Sequence, residues 1–378
     1  MGLVALALYV HWPWCVHKCP YCDFNSRGGL FRIDEGRYIA ALLADLSQVA
    51  HTVSRPVTSV FFGGGTPSLM TSEGFDALMR GIGERVDLAH DAEITLEANP
   101  GTVTEEKLAA FARSGVTRLS LGVQSFNAAS LSFLGRIHTA RQAREAVTWA
   151  KNTFAHVNID MMYALSGQTQ ANLRADAEEA VSFNTDHLSY YELTIEPGSV
   201  FFKRPPENLP DADTAGDMAE CIQTITRKAG FDHYEVSAYA KAGSRCRHNM
   251  TYWTYGDYLA IGAGAHAKIT TPDGAVFREV RAKSPVRYMT DVENGTFVQR
   301  RRRVRSEEIP FEFMLNVLRL REGVAKERWE EATGLPYALI APKVASLQRE
   351  GLMEKTDRFA ATALGRRFLN TLQERFLP

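Results

Sequence analysis

Through the first two thirds of the chain, short runs rich in β-branched and aromatic residues alternate with longer stretches of helical period, the pattern of repeated parallel βα units. Six strands are predicted: Ala5–His11, Ser59–Phe62, Glu93–Glu97, Arg118–Val123, His156–Met161 and His187–Ile195. A helix-like segment follows each, such as Asp34–Val53 after the first and Thr139–Asn152 after the fourth. Thr104 precedes Glu105, Glu106 and Lys107, so its hydroxyl can accept from the free amides of a first turn while the carboxylates suit the positive end of the helix dipole. From about Phe231 to Thr296 aromatics and glycines predict further strands and hairpins, with Pro272-Asp273-Gly274 as a turn. Gln299–Arg305, with five arginines, reads as a solvated linker face. Beyond Ser306 the period is helical again and ends in strand-like pieces around Leu352–Ala361, the outline of a small winged-helix-like module.

Six βα units are fewer than the eight of a closed barrel, so the expected fold is α/β, a partial parallel (β/α)6 barrel. The expected divisions are residues 1–230 for the barrel, 231–305 for a β-rich extension with the Arg-rich linker, and 306–378 for the C-terminal winged-helix-like domain.

A length of 378 residues accommodates such an assembly, and 45% hydrophobic with 23% charged residues excludes a disordered or rod-like chain. The formal net charge of −1 lacks the basic field of a nonspecific nucleic-acid binder, so the winged-helix outline does not imply DNA binding and no nucleic-acid partner is expected. Five cysteines, odd in number and sparse, fit a reducing compartment better than a disulfide scaffold. The apolar opening Leu3–Val10 is too short to cross a bilayer and lacks a basic flank. A cytoplasmic protein with no integral membrane segment is expected.

The reactive and Gly-rich residues fall just after the predicted strands: Cys15 to Cys22, Gly63 to Thr66, Glu97, Gln124 and Asp160. In a parallel barrel that is one rim, where strand ends hold loops rigidly around a common mouth. Cys15, Cys19 and Cys22 stand in a C-x3-C-x2-C spacing, CVHKCPYC. Three soft thiolates can hold three irons of a four-iron cluster and leave the fourth open to a chelating small molecule. A structural zinc normally wants four closed ligands, and a zinc-stabilised scaffold stands as the alternative.

The spacing, with Tyr21 inside its second interval, resembles the radical S-adenosylmethionine superfamily. The resemblance implies a radical SAM barrel whose cysteines hold a 4Fe-4S cluster, with S-adenosylmethionine chelated on the open iron and cleavable to a 5′-deoxyadenosyl radical. It assigns the Gly63-Gly64-Gly65-Thr66-Pro67 turn to the methionine amino group, since glycines allow close backbone approach. With Gly64, Gly65 and Thr66, it places Tyr9, Tyr21, Glu97, Gln124, Arg136 and Asp160 around the cofactor.

A closer resemblance runs through HWPWCVHKCPYCDFNS, FFGGGTPS, EITLEANPGTV, RLSLGVQSF, LTIEPGS and RHNMTYWTYGDYLAIGAGAHAKI. These stretches are similar to the HemW-type heme chaperones, relatives of oxygen-independent coproporphyrinogen III dehydrogenase. The dehydrogenase carries a fourth cysteine two positions after the third and a longer N-terminal arm; here Phe24 stands at that position and eight residues precede Tyr9. His248, Asn249, Tyr252 and Trp253 match the chaperones' HNxxYW signature, in which the imidazole can ligate heme iron and the aromatics can cover the porphyrin. His266 is a second candidate. Cys246 and Cys221 read as structural thiols. The implied function is heme binding and transfer to heme-requiring clients such as membrane respiratory enzymes, with a homodimer and peripheral attachment at the inner membrane face both open. Oxidative decarboxylation of coproporphyrinogen III is the alternative.

Overall fold

The computed structural model describes residues 6–29, 33–51 and 55–378, so Ala5 and Val53 of the expected elements lie outside the described residues. All six expected strands form: β1 Leu6–Trp12, β2 Val57–Gly64, β3 Leu88–Ala98, β4 Arg118–Gln124, β5 His156–Tyr163 and β6 His187–Glu192, the last ending short of Ile195. Helices α1 Glu35–Ala50, α2 Ser72–Gly83, α3 Glu105–Arg113, α4 Ala140–Thr153 and α5 Gln170–Ser182 return the chain between them. Each strand therefore pairs in parallel with the next. Thr104 caps α3 as expected, its hydroxyl accepting from the Lys107 amide at 3.2 Å. Thr139 and Gln142 cap α4 reciprocally. Helix α6, Ala212–Lys228, follows β6.

Alternation along the strands sorts side chains into two environments. Leu8, Val60, Leu96, Leu121, Ile159 and Leu188 are fully buried in the main core beneath the helices. The intervening positions carry Thr95, Glu97, Ser120, Asn158, Asp160 and Ser189, which line the barrel's interior cavity. The sheet is thus apolar outside and polar inside, the arrangement of a barrel that holds a ligand rather than packing its own centre.

The strands expected beyond Phe231 join this same sheet. β7 Asp232–Glu235 and β8 Ala238–Ala240 extend it antiparallel past β6. After helix α7, Arg247–Trp253, strand β9, Asp257–Ile261, pairs in parallel with β1, adding a seventh parallel strand to the expected six. β10 His266–Thr270, β11 Val276–Val280 and β12 Arg300–Arg303 continue antiparallel, α8 Pro285–Glu293 lying between the last two. The order is β12-β11-β10-β9-β1-β2-β3-β4-β5-β6-β8-β7. The predicted turn closes the β10–β11 hairpin, with Gly274 at φ +81° and its amide donating to Thr271 at 2.8 Å.

Two expectations are corrected. The arginine run is the edge strand β12 rather than a linker: it pairs with Phe277–Val280, and Arg301 lies over the Phe277 ring at 4.4 Å. Charged side chains on an exposed edge also discourage pairing with another chain. The HNxxYW residues, expected among strands and hairpins, form helix α7.

The C-terminal segment comprises α9 Ile309–Val317, α10 Glu327–Thr333, α11 Ala341–Arg349, α12 Ala363–Arg367 and α13 Leu369–Glu374, with a two-residue ladder between Val324–Ala325 and Arg358–Phe359. Phe313, Trp329, Leu347 and Phe359 are fully buried in a second core that also takes in Tyr234 and Tyr255. Among the described residues no helix is long and apolar enough to cross a membrane.

Candidate functional site

The C-terminal ends of the parallel strands open onto a cavity of about 850 Å³. Cys15, Cys19 and Cys22 stand at its mouth as free thiols. Their loop is fixed by the end of β2: the Gly65 amide donates to Trp12 at 2.7 Å and the Thr66 amide to Trp14 at 2.8 Å. The Cys22 amide donates to the Cys19 carbonyl at 3.1 Å, which tightens the second interval. Arg136 Nη1 donates to Cys19 Sγ at 3.5 Å, placing a fixed positive charge beside that sulfur. Burial pushes the Cys15 and Cys22 thiols up, while Lys18 pulls the other way.

Tyr21, Gly64, Gly65, Thr66, Glu97, Gln124, Arg136 and Asp160 all line this cavity, so the structure brings together almost every residue expected around the cofactor. Tyr9 is the exception. It lies behind the wall, its hydroxyl 3.0 Å from His11 Nδ1 and its ring stacked on Phe61. Gln124 ends β4 at φ +71°, a left-handed conformation that costs a non-glycine residue roughly 1–3 kcal/mol and is retained where the surroundings enforce it. Asp160 accepts from Ser120 Oγ and Asn158 Nδ2, both at 2.8 Å. Glu97 accepts from the Gly64 amide at 3.2 Å; burial, with the neighbouring Asp160, pushes its carboxyl up to about 8.

The cavity fits the cluster and nucleoside cofactor that the residues imply. Three free thiols share one loop at its mouth, and Arg136 Nε is buried with no hydrogen-bond partner among the described residues. Glu97 and Asp160 present carboxylate oxygens to the interior, the chemistry that hydroxyl and ammonium groups need. Phe24, at the position of the dehydrogenase's fourth cysteine, is 61% exposed on the rim.

The glycines are also required by the chain's own packing. A Cβ on Gly65 would stand 2.6 Å from the Trp14 carbonyl oxygen and 2.8 Å from that of Trp12, and one on Gly64 would run into the His11 ring. They permit close approach to the chain's own backbone and to His11. That packing is what leaves the turn's backbone at the cavity wall.

Helix α7 closes the barrel floor. Glu93, on β3, pairs with Arg118, on β4, at 2.9 Å, and both are buried. The second Glu93 oxygen accepts from the His248 amide at 3.1 Å and from Cys246 Sγ at 3.4 Å, while Arg118 Nη2 donates to the Ser244 carbonyl at 2.9 Å. The His248 ring is 1% exposed, with Nδ1 3.1 Å from Ser59 Oγ and Nε2 2.8 Å from Tyr252 Oη. Burial lowers its pKa to about 3, so the ring is neutral and both nitrogens are engaged within the protein. Asn249, Tyr252 and Trp253 reach the cavity; His248 does not line it. At this deep end Thr95 Oγ1, Arg118 Nη1 and Trp253 Nε1 are buried without a hydrogen-bond partner among the described residues. Cys246 is buried, its thiol pushed up by burial and Glu93, and Cys221 is half-buried against the main core.

His266 lies elsewhere, on a second cavity of about 520 Å³ between the extended sheet and the C-terminal helices. Sequence reasoning overlooked Glu93, Arg118, Asn158 and His187, which build the floor. Their signal was present: each polar residue occupies every second position of a strand whose other positions are apolar.

Residues 9–180 match the Radical SAM superfamily, and residues 304–368 match the HemN C-terminal domain. Heme chaperone HemW of Haemophilus influenzae is 42% identical over 99% of this chain and 98% of its own. Heme chaperone HemW of Escherichia coli is also 42% identical, over 99% of each chain. Radical S-adenosyl methionine domain-containing protein 1, mitochondrial, of Bos taurus is 35% identical over 93% of this chain and 82% of its own. Among solved structures, the radical SAM enzyme coproporphyrinogen III oxidase (HemN) of Escherichia coli matches with a TM-score of 0.83 over 99% of this chain and 90% of its own, at 21% identity, a likeness of fold. Full-length identity, the cysteine loop and the barrel agree: the chain belongs to the HemW heme chaperone family of radical SAM proteins.

Proposed function

We propose that this chain binds heme and passes it to heme-requiring proteins, membrane respiratory enzymes among them, working in the cytoplasm at the inner membrane face. A 4Fe-4S cluster and S-adenosylmethionine in the barrel mouth govern that handover. The observation that carries the reading is the 42% identity over the full length to proteins named heme chaperones, against 21% to the coproporphyrinogen III oxidase that shares the fold. Phe24 supports it, because the position that would carry a fourth cysteine holds an exposed ring instead.

In this reading Cys15, Cys19 and Cys22 hold the cluster, and Tyr9, Tyr21, Gly64, Gly65, Thr66, Glu97, Gln124, Arg136 and Asp160 shape the S-adenosylmethionine site. Once bound there, the cluster supplies one electron and S-adenosylmethionine a sulfur–carbon bond that the electron can cleave. Arg136 holds negative charge at Cys19, and the Glu97 and Asp160 carboxylates accept from hydroxyl or ammonium groups. Residues 1–230 carry these cofactors, 231–305 supply the floor and the extended sheet, and 306–378 cover it. Two chains assemble when the mouth is loaded.

The test is anaerobic reconstitution with iron and sulfide, a titration with hemin, and mixing of the heme-loaded protein with a heme-free acceptor. Heme is expected to bind and then to move to the acceptor. Failure of the wild-type chain to bind heme would overturn the reading.

A further inference from the structure

A heme iron takes an imidazole nitrogen that faces the cargo and is not already hydrogen-bonded. The chain has ten histidines. His11, His187, His233 and His248 have both ring nitrogens in hydrogen bonds. His138 is buried against Val123, and His156 is paired with Asp186. His51 and His90 line neither cavity, and His17 lies inside the cysteine loop.

His17 lines the first cavity and its ring makes no hydrogen bond among the described residues, but it stands between Cys15 and Cys19 in the loop that holds the thiols; His266 stands apart from any cysteine. It is exposed, lines the second cavity, and its ring makes no hydrogen bond among the described residues. Partial burial and the charges of Lys283 and Arg278 hold its pKa below the ordinary value, which favours the neutral ring that a metal needs. At about 520 Å³ the cavity falls within the usual range for organic ligands, roughly 300–1,000 Å³. Phe311, Leu315 and Leu377 give it an apolar wall, and the last two are 42% and 47% exposed. Its arginines are neutralised internally, Arg278 by Glu312 at 2.8 Å and Arg302 by Glu308 at 2.5 Å. Lys283, exposed and outside the cavity's lining, is the cation near enough to act on His266, and its ammonium makes no ion pair among the described residues.

Building on the heme-chaperone reading, we propose that this cavity is the cargo site. His266 is the axial ligand to heme iron, Phe311, Leu315 and Leu377 cover the macrocycle, and Lys283 meets a propionate while the other faces solvent. His248 is a structural residue of the barrel floor. The cargo site is also coupled to the cysteine loop. His266 follows the Gly262–Ala265 turn, and the Ala263 carbonyl in that turn accepts from Asn25, three residues beyond Cys22, at 2.9 Å.

Hemin titration of the full chain, followed by absorption, tests this with His266→Ala, His248→Gln, Leu315→Asp and the exposed-histidine control His90→Ala. Circular dichroism checks that each variant is folded. His266→Ala is expected to shift the Soret band and weaken binding by roughly tenfold or more, the loss of one metal–nitrogen bond with the apolar contacts kept. Leu315→Asp is expected to weaken binding while the band position of the bound fraction stays, and His248→Gln and His90→Ala to keep the wild-type band. Wild-type binding together with an unchanged spectrum and affinity in His266→Ala overturns the inference and leaves the chaperone reading standing. So does a Soret shift in folded His248→Gln with none in His266→Ala. Absence of heme binding by the wild-type chain removes the chaperone reading and the inference with it.

Discussion

Asn25 Nδ2 donates to the Ala263 carbonyl at 2.9 Å and also to the Lys283 carbonyl at 2.9 Å, tying the loop that carries the cysteines to the turn that carries His266. His11 holds the other end of Asn25, its Nε2 lying 2.9 Å from the Asn25 carbonyl oxygen. The link needs a glycine opposite it. Gly264 sits at φ +79°, and a Cβ there would run into the Asn25 carboxamide.

Gly264→Ala is therefore expected to destabilise the chain by about 1–3 kcal/mol, from left-handed strain and the displaced amide together. Chemical denaturation measures this. Asn25→Ala, which removes the bonds without adding bulk, is expected to lower iron retention after anaerobic reconstitution while changing stability less. A full iron complement that survives dilution as in wild type would show that the loop does not depend on the link.

Gly65→Val is expected to damage folding and cluster loading together. The new side chain meets the carbonyls of Trp12 and Trp14, which are backbone and lead directly into Cys15. Overpacking of this kind costs typically about 1–3 kcal/mol. Melting temperature and iron content should fall in parallel; loss of S-adenosylmethionine binding with both unchanged would contradict this.

Glu97 gives a pH signature to the ligand-free protein. Its carboxyl is pushed from an ordinary 4.5 up to about 8, so between those values the folded state holds a proton that the unfolded state has lost. Its contribution to stability is complete below the unfolded pKa and disappears as pH rises through the folded one. Other groups titrate in the same window, so the expected observation is a difference: Glu97→Gln gains stability over wild type as pH is raised from about 5 to 8. Parallel curves for the two proteins across that range would contradict the assignment.

Arg118 holds the floor. Replacing it by Met leaves the Glu93 carboxylate buried and unpaired, and losing one partner of such a pair costs about 3–5 kcal/mol. Hydrogen exchange in 247–253 should accelerate in Arg118→Met, because Ser244 loses its anchor and the charge that orients Glu93 toward the His248 amide is gone. Unchanged protection there would show that α7 stands without the pair.

What the sequence made legible was local. The six barrel strands are contiguous runs with a helix after each, and the cysteines carry their chemistry in their spacing. Helix α7 was not legible, because its seven residues include Thr, Tyr and Trp, which favour strands as readily. Its first turn is satisfied by Glu93, a carboxylate 155 positions away in sequence. The arginine run became a strand for the same reason, since only pairing with Phe277–Val280 makes it one. The His248 signature was legible as a motif, but the sequence could not show that Ser59 and Tyr252 already occupy both ring nitrogens.

In the proposed function this barrel serves a heme carrier rather than a coproporphyrinogen III dehydrogenase. The most direct measurement incubates the protein anaerobically with verified cluster, reductant, S-adenosylmethionine and coproporphyrinogen III, beside a parallel hemin titration of the same preparation. Heme binding with no protoporphyrinogen IX formed is the predicted result. Protoporphyrinogen IX accumulating over many turnovers would contradict the account, even if heme also bound.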